Sequence, residues 1–290
     1  IVFALKKDEE KILSGDLNPE PLILRANVGD CVEVTLTNKL TGPFHHNGEH
    51  GYPGVPVDAP FPPSKRISMH AQMVVYDVRD SDGATVGYNY DQTIGPGESI
   101  TYRWYIDQDF GSANLWDMAD IRNHRHHGAF GMLIAEPRGS KYLDPIKREE
   151  TSTGSQVIIS NPLMYEFREF ALLMHDGARL VDKNGELIID PAPLFTEEEE
   201  EELPDFEDQG SRGFNYRNER FSHRIDNLDE VYRVFSSTEG EPNTPLFKAY
   251  PGDPVTIRFA FPADRARAHA FVIHGHKFLR SKDDVNSSII

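Results

Sequence analysis

One stretch of this chain occurs twice. Leu24-Arg-Ala-Asn-Val-Gly-Asp-Cys-Val-Glu-Val34 reappears as Phe247-Lys-Ala-Tyr-Pro-Gly-Asp-Pro-Val-Thr-Ile257. The apolar, basic and Ala positions match, Gly29-Asp30 answers Gly252-Asp253, and Val32 and Val34 answer Val255 and Ile257. Pro21-Leu22 answers Pro245-Leu246 with one residue of slippage. After each copy comes a histidine in a similar apolar frame, Ile67-Ser-Met-His70-Ala-Gln72 and Phe271-Val-Ile-His274-Gly-His276. Copies this far apart are domains, not solenoid units. A chain of 290 residues has room for about two domains of ordinary size. One complete copy is expected near 15–140, within a first domain of 1–145. The opening part of another is expected within 155–290.

The local signal is β throughout. Period-two or fully apolar runs occur at Leu22 to Leu24, Val32 to Leu36, Ser99 to Ile106, Gly131 to Glu136, Val157 to Ser160, Phe167 to Met174, Val255 to Phe261 and Ala270 to Ile273. They are bounded by turn formers such as Gly95-Pro-Gly97, Asn184-Gly185 and Pro251-Gly-Asp-Pro254. Many short strands with this punctuation predict sandwiches, mainly antiparallel, with strands including 31–37, 100–106, 130–136, 168–174 and 255–261. Helical periodicity is confined to Asp8–Ser14 and the glutamate run Glu197–Glu202. Six like charges in a row repel one another and read as a solvated loop, with calcium or manganese binding as the alternative.

A net charge of -17 argues against a nucleic-acid partner, because tracking phosphates needs an excess of Lys and Arg. No apolar run approaches the ~20 residues that span a bilayer. The charge suits a secreted protein, and an extracytoplasmic location (secreted, periplasmic or cell surface) is expected. The sequence opens on Ile1 without a leader pattern, so either a leader has been removed or the sequence begins internally. Cys31 is the single cysteine and has no intrachain disulfide partner. It shares a strand face with Glu33 and Thr35, has no histidine near it in sequence, and reads as a structural thiol.

The duplication, the histidine frames, Pro96-Gly-Glu-Ser-Ile-Thr-Tyr-Arg-Trp104 and Leu115-Trp-Asp-Met118 leading to Gly128-Ala-Phe-Gly-Met-Leu-Ile-Ala-Glu-Pro137 together resemble a multicopper oxidase. His269-Ala-Phe-Val-Ile-His-Gly-His276 is similar to that family's His-Pro-x-His-Leu-His-Gly-His signature. Pro19-Glu-Pro-Leu22, Tyr76-Asp-Val78, Phe167-Arg-Glu-Phe170 and Phe214-Asn-Tyr-Arg217 resemble the large multi-domain bacterial branch that includes manganese-oxidising enzymes. The likeness covers most of 18–280. It implies an all-β fold of two cupredoxin-like Greek-key β-sandwich domains, the second incomplete, with its Cys-bearing half expected beyond Ile290. It also implies an oxygen-dependent oxidoreductase that couples one-electron oxidation of a substrate, such as manganese(II), to reduction of oxygen to water. Expected partners are further cupredoxin domains of the same or a partner chain, oxygen and an electron donor.

The implied cofactor is copper. A type 1 site needs two imidazoles and a thiolate, and a trinuclear cluster needs His-x-His pairs, whose alternation puts two imidazoles on one strand face. In the first domain the family's pairs are replaced by Ser68-Met-His70-Ala-Gln72 and by Trp116-Asp-Met118. Ile121, Arg122 and Asn123 fall where His-Cys-His would be, with His127 at the place of the second type 1 histidine. This domain is expected to hold neither copper type, which leaves a copper-free structural or assembly module as the alternative function. In the second copy the resemblance makes His269 a type 1 ligand, while Val272 replaces a trinuclear histidine. His274 and His276 are metal candidates beside it, or supports for the strand. The trinuclear cluster is expected elsewhere in the parent protein.

The remaining histidines read more plainly. His124-Arg-His126-His127 allows two imidazoles on one face, but reads as a polar lead-in to a strand, bonded to backbone or carboxylates. His45, His46, Glu49 and His50 lie in a Gly/Pro-rich loop and read as solvated, and His175 and His223 are isolated. A cupin-type metal site starting at His274-Gly-His276 lacks the glutamate it needs three or four residues on, since 277–282 contains none.

Overall fold

Runs that are apolar at every position become strands with both faces covered, and this decides the architecture. The structure is a computed structural model, describing residues 1–41, 64–178, 211–217, 219, 224–225, 227–234, 236–263, 270–281, 284 and 286–289. Strands β1 (Leu22–Asn27), β2 (Cys31–Thr37), β3 (His70–Ala71), β4 (Ser99–Tyr105), β5 (Gly111–Trp116), β6 (Phe130–Glu136), β7 (Lys141–Leu143), β8 (Gln156–Asn161), β9 (Met164–Ala178), β10 (Ser211–Phe214) and β11 (Val255–Ala263) form three sheets. The first has the order β1-β6-β5-β3 and the second pairs β2 with β4. The third runs β10-β9-β8-β7, with β11 along the opposite edge of β9.

The first sheet is the middle layer. Leu22, Ala26, Leu133 and Ala135 face Tyr102 and Trp104 of β4 and the inward side chains of β2. The other parity, Ile23, Phe130, Met132 and Ile134, faces Ala171 and Leu173 of β9 and Ala260 of β11. β6 is accordingly buried at all seven positions, whereas β2 alternates between half-buried and exposed. Cys31 lies on the exposed face of β2, paired across from Tyr105, and so is a solvent-side thiol and not a packed one.

The expected strands are present, but two pairings are parallel: β1 with β6 and β9 with β11. Parallel neighbours need a long connection, and the chain between β1 and β6 supplies it by building β2 to β5 on the way. The expected helix is also present, as a 3-10 turn at Lys6–Asp8 and α1 (Glu9–Ser14), ended by Gly15 in the left-handed region.

The sequence repeat is a repeated turn. Asp30 N donates to Asn27 O at 3.0 Å, and Asp253 N donates to Tyr250 O at 3.0 Å. The two carboxylates accept back from the same residues, Asn27 N at 2.8 Å and Tyr250 N at 3.1 Å. Gly29 and Gly252 supply the positive φ, 94° and 95°. Beyond the turn the copies differ, since β2 pairs antiparallel with β4 and β11 parallel with β9.

One expectation fails. Ala270–Ile273 is not a strand: Val272 is 66% exposed and Phe271 packs through its ring on Phe259, 4.5 Å between centroids. Alternation alone makes no strand where no ladder partner is at hand. The polar lead-in at His124–His127 does run into β6 as expected, and it does so through a helical turn, α2 (Ile121–His124) followed by a 3-10 turn at Arg125–His127. His124 N bonds Asp120 O at 2.9 Å, and Gly128 at φ 96° stops the turn.

Gly131 pairs with Leu22 in the parallel ladder, and a Cβ there would strike the Leu22 carbonyl. Gly252 has open space around its Cβ position. Gly131→Ala should therefore destabilise by about 2–3 kcal/mol through forced separation of β1 and β6. Gly252→Ala should cost about 1 kcal/mol from the left-handed backbone alone. Denaturant midpoints of the two variants measure the order, and equal costs would refute it.

Candidate functional site

The two segments aligned by resemblance with histidine pairs are neighbours at one end of the first sheet. His70 pairs with Trp116 and Ala71 with Leu115. Ser68 N donates to Asp117 Oδ1 at 2.7 Å, and Met118 N donates to Ser68 Oγ at 3.0 Å. Ser68, His70, Trp116 and Met118 thus stand beside one another with a single imidazole among them.

His70 is held by Asp82. Its Nδ1 lies 2.7 Å from the Asp82 carbonyl and 3.1 Å from Oδ1. Both are acceptors, so Nδ1 carries a proton and donates it. Tyr76 meets this ring edge-on at 5.9 Å. Its hydroxyl pKa is pushed up to about 12, first by burial and then by the hydrogen bond and charge of Asp82.

Asp117 carries the denser network. Besides Ser68 N, its carboxylate accepts from Ala119 N at 3.3 Å, Asp120 N at 2.9 Å and His124 Nδ1 at 2.9 Å. His124 is fully buried, and its Nε2 lies 2.7 Å from Ser64 O. A carboxylate on one ring nitrogen and a carbonyl on the other demand two N–H donors, which makes His124 an imidazolium. Burial alone lowers its pKa. The Asp117 hydrogen bond and charge, the Ser64 carbonyl and the charge of Asp120 outweigh it, holding the pKa above the ordinary 6.5.

These residues do not suit copper. A ligating imidazole needs a nitrogen lone pair, and both His124 nitrogens are committed as donors. Trp116 Nε1 is a buried donor without a hydrogen-bond partner, which repels a cation. Among the described residues no group of three or more His, Cys, Asp or Glu is placed to hold a metal.

Of the metal candidates in the second copy, His269 lies outside the described residues, as do His45, His46, Glu49, His50, His223 and the run Glu197–Glu202. His274 and His276 flank Gly275, which has φ 76°, in an exposed turn closed by His276 N to Ile273 O at 3.2 Å. His276 Nδ1 faces the His274 carbonyl at 3.1 Å. His175 is buried against Phe130 and Tyr216. In sequence Asp117 reads as the middle of a lost ligand pair, and its bond to His124 is not evident there. The available signal was a carboxylate seven residues ahead of a histidine, both beside apolar runs.

No known protein family matches the chain, and no curated protein matches it. Among solved structures, a copper nitrite reductase from Nitrosomonas europaea matches 84% of this chain and 57% of its own at 16% identity, with a TM-score of 0.41. The multicopper oxidase mgLAC matches 59% of this chain and 41% of its own at 19% identity, with a TM-score of 0.32. Fet3p, a multicopper oxidase that functions in iron import, matches 56% and 22% at 17% identity, with a TM-score of 0.31. The chain thus spans 22% to 57% of the length of these proteins.

A raised histidine pKa gives stability that is complete below the unfolded value and lost as pH rises through the folded one. Unfolding midpoints measured from about pH 5 to about pH 9 should therefore show this loss in the wild type and not in His124→Gln. Asp117→Asn, which leaves the imidazolium without its counter-charge, should cost about 3 kcal/mol. Parallel pH profiles for wild type and His124→Gln would show that His124 is neutral.

Proposed function

We propose that this chain is part of a multicopper oxidase, and that residues 1–145 serve in it as a copper-free cupredoxin-like module that packs against the unit at 155–290. One observation carries the reading. The segments at 68–72 and 116–118 lie side by side, as ligand-bearing segments would, yet present Ser68, His70, Trp116 and Met118. Asp117 and His124 fill the same end of the sheet with a closed hydrogen-bond network. Such a network supports a fixed backbone and offers no donor set for a metal.

In the parent enzyme copper would supply one-electron transfer from a substrate, with manganese(II) among the candidates, to oxygen. His269 is proposed as one type 1 ligand, with His274 and His276 close to it in sequence as ligands or supports. A trinuclear cluster would belong to other parts of the protein. No membrane-crossing helix is present among the described residues, and the proposed location is extracytoplasmic.

The test uses the complete protein. Its copper content, blue thiolate-to-copper absorption and oxygen uptake with manganese(II) or a phenol should all be present. His70→Ala should leave all three unchanged, and His269→Ala should abolish the blue absorption without unfolding the protein. Copper loss in His70→Ala would overturn the copper-free module. A complete protein without copper or oxygen uptake would overturn the oxidase.

A further inference from the structure

Four charged side chains are buried between the first and third sheets in alternating order. Glu136 of β6 accepts from Arg258 Nη2 of β11. Arg258 Nε donates to Glu169 Oε2 of β9 at 3.0 Å, and Glu169 Oε1 accepts from Arg25 Nη1 of β1 at 2.5 Å. The side chains of Arg25 and Glu169 are completely buried, and those of Glu136 and Arg258 nearly so. Arg25 also donates to Gly154 O at 2.8 Å and lies over the Tyr142 ring. The sequence holds these residues in apolar runs, Ile23-Leu-Arg25-Ala26, Leu133-Ile-Ala-Glu136, Glu169-Phe-Ala171 and Ile257-Arg258-Phe259.

Each sheet contributes one cation and one anion, on neighbouring strands. Arg25 is level with Ile134, two residues from Glu136, and Arg258 is level with Ala171, two residues from Glu169. The two diagonals are complementary in one sheet-on-sheet register, with Arg25 over Glu169 and Glu136 over Arg258. Around them lie Ile23, Phe130, Met132, Ile134, Ala171 and Leu173, apolar groups that pack without directional preference. A slide of one strand would leave buried charges unpaired, the most costly arrangement available to them.

We propose that Glu136–Arg258–Glu169–Arg25 is a docking key that selects the orientation of the third sheet on the first. The apolar contacts supply the attraction and the charges supply the register. This role is independent of copper and of the oxidase reading.

The design of the key gives its own test in the full chain. Reversing one sheet, Arg25→Glu with Glu136→Arg, sets like charge against like at both contacts. Reversing the other as well, Glu169→Arg with Arg258→Glu, restores opposition with every sign inverted. Hydrogen exchange is read on β9 for docking and on β4, whose Tyr102 and Trp104 sit in the other core, for the fold of the first layer pair. The half-reversed variant should exchange about a hundredfold faster across β9 with β4 still protected, and the fully reversed variant should recover most of that protection. A half-reversed variant that keeps wild-type β9 protection overturns the proposal. So does a fully reversed variant no better than the half-reversed one, or a half-reversed variant whose β4 and β9 lose protection together.

Discussion

The β1–β6–β5 ladder has protein on both of its faces, and most of the structure follows from that constraint. A sheet without a solvent side can carry charged groups only where each charge is answered. Where it is apolar, at Ile23, Phe130 and Met132, it meets apolar strands of the third sheet. Where it is charged, at Arg25 and Glu136, it meets charges of opposite sign. Burying a charge without a partner costs several kcal/mol, so the residues on β9 and β11 are dictated by those on β1 and β6.

The same rule governs the end of the sheet at β3 and β5. Main-chain donors at Ser68, Ala119 and Asp120 would be unsatisfied there without Asp117, and a buried Asp117 needs a cation, which His124 provides. The helical turn at 121–127 brings that imidazole back onto the carboxylate and ties it to Ser64. The result is a rigid corner built from chemistry that elsewhere serves a metal, with every nitrogen of His124 spent on holding the chain together.

Much of the fold was legible residue by residue. Strand positions followed from apolar runs and turn formers, and the Gly-Asp repeat, which reads as two copies of a domain, folds as two turns with the same hydrogen bonds. Short-range rules suffice there, because a turn needs four residues and a strand face needs alternation. They failed at Ala270–Ile273, whose pattern matches β6 but which lacks a ladder partner among the described residues. At the candidate site the positions that lack imidazoles are plain from the residues at 68–72 and 116–118. The sequence did not reveal that Asp117 and His124 meet, because the six residues between them pass from irregular chain into α2 and no single period relates their directions.

By itself, the sequence determined an acidic, strand-rich chain with a duplicated segment, and it named the residues standing at 68–72 and 116–118. It also spelled out Arg25, Glu136, Glu169 and Arg258 inside apolar runs, where each taken alone is an anomaly. Only the tertiary structure decided that β1 and β6 run parallel, that one sheet serves as the middle of three layers, and that those four charges form one alternating chain. The reason is range: propensity and alternation act over a few residues, whereas the cost of a buried charge is settled by whatever strand the fold brings within about 3 Å of it.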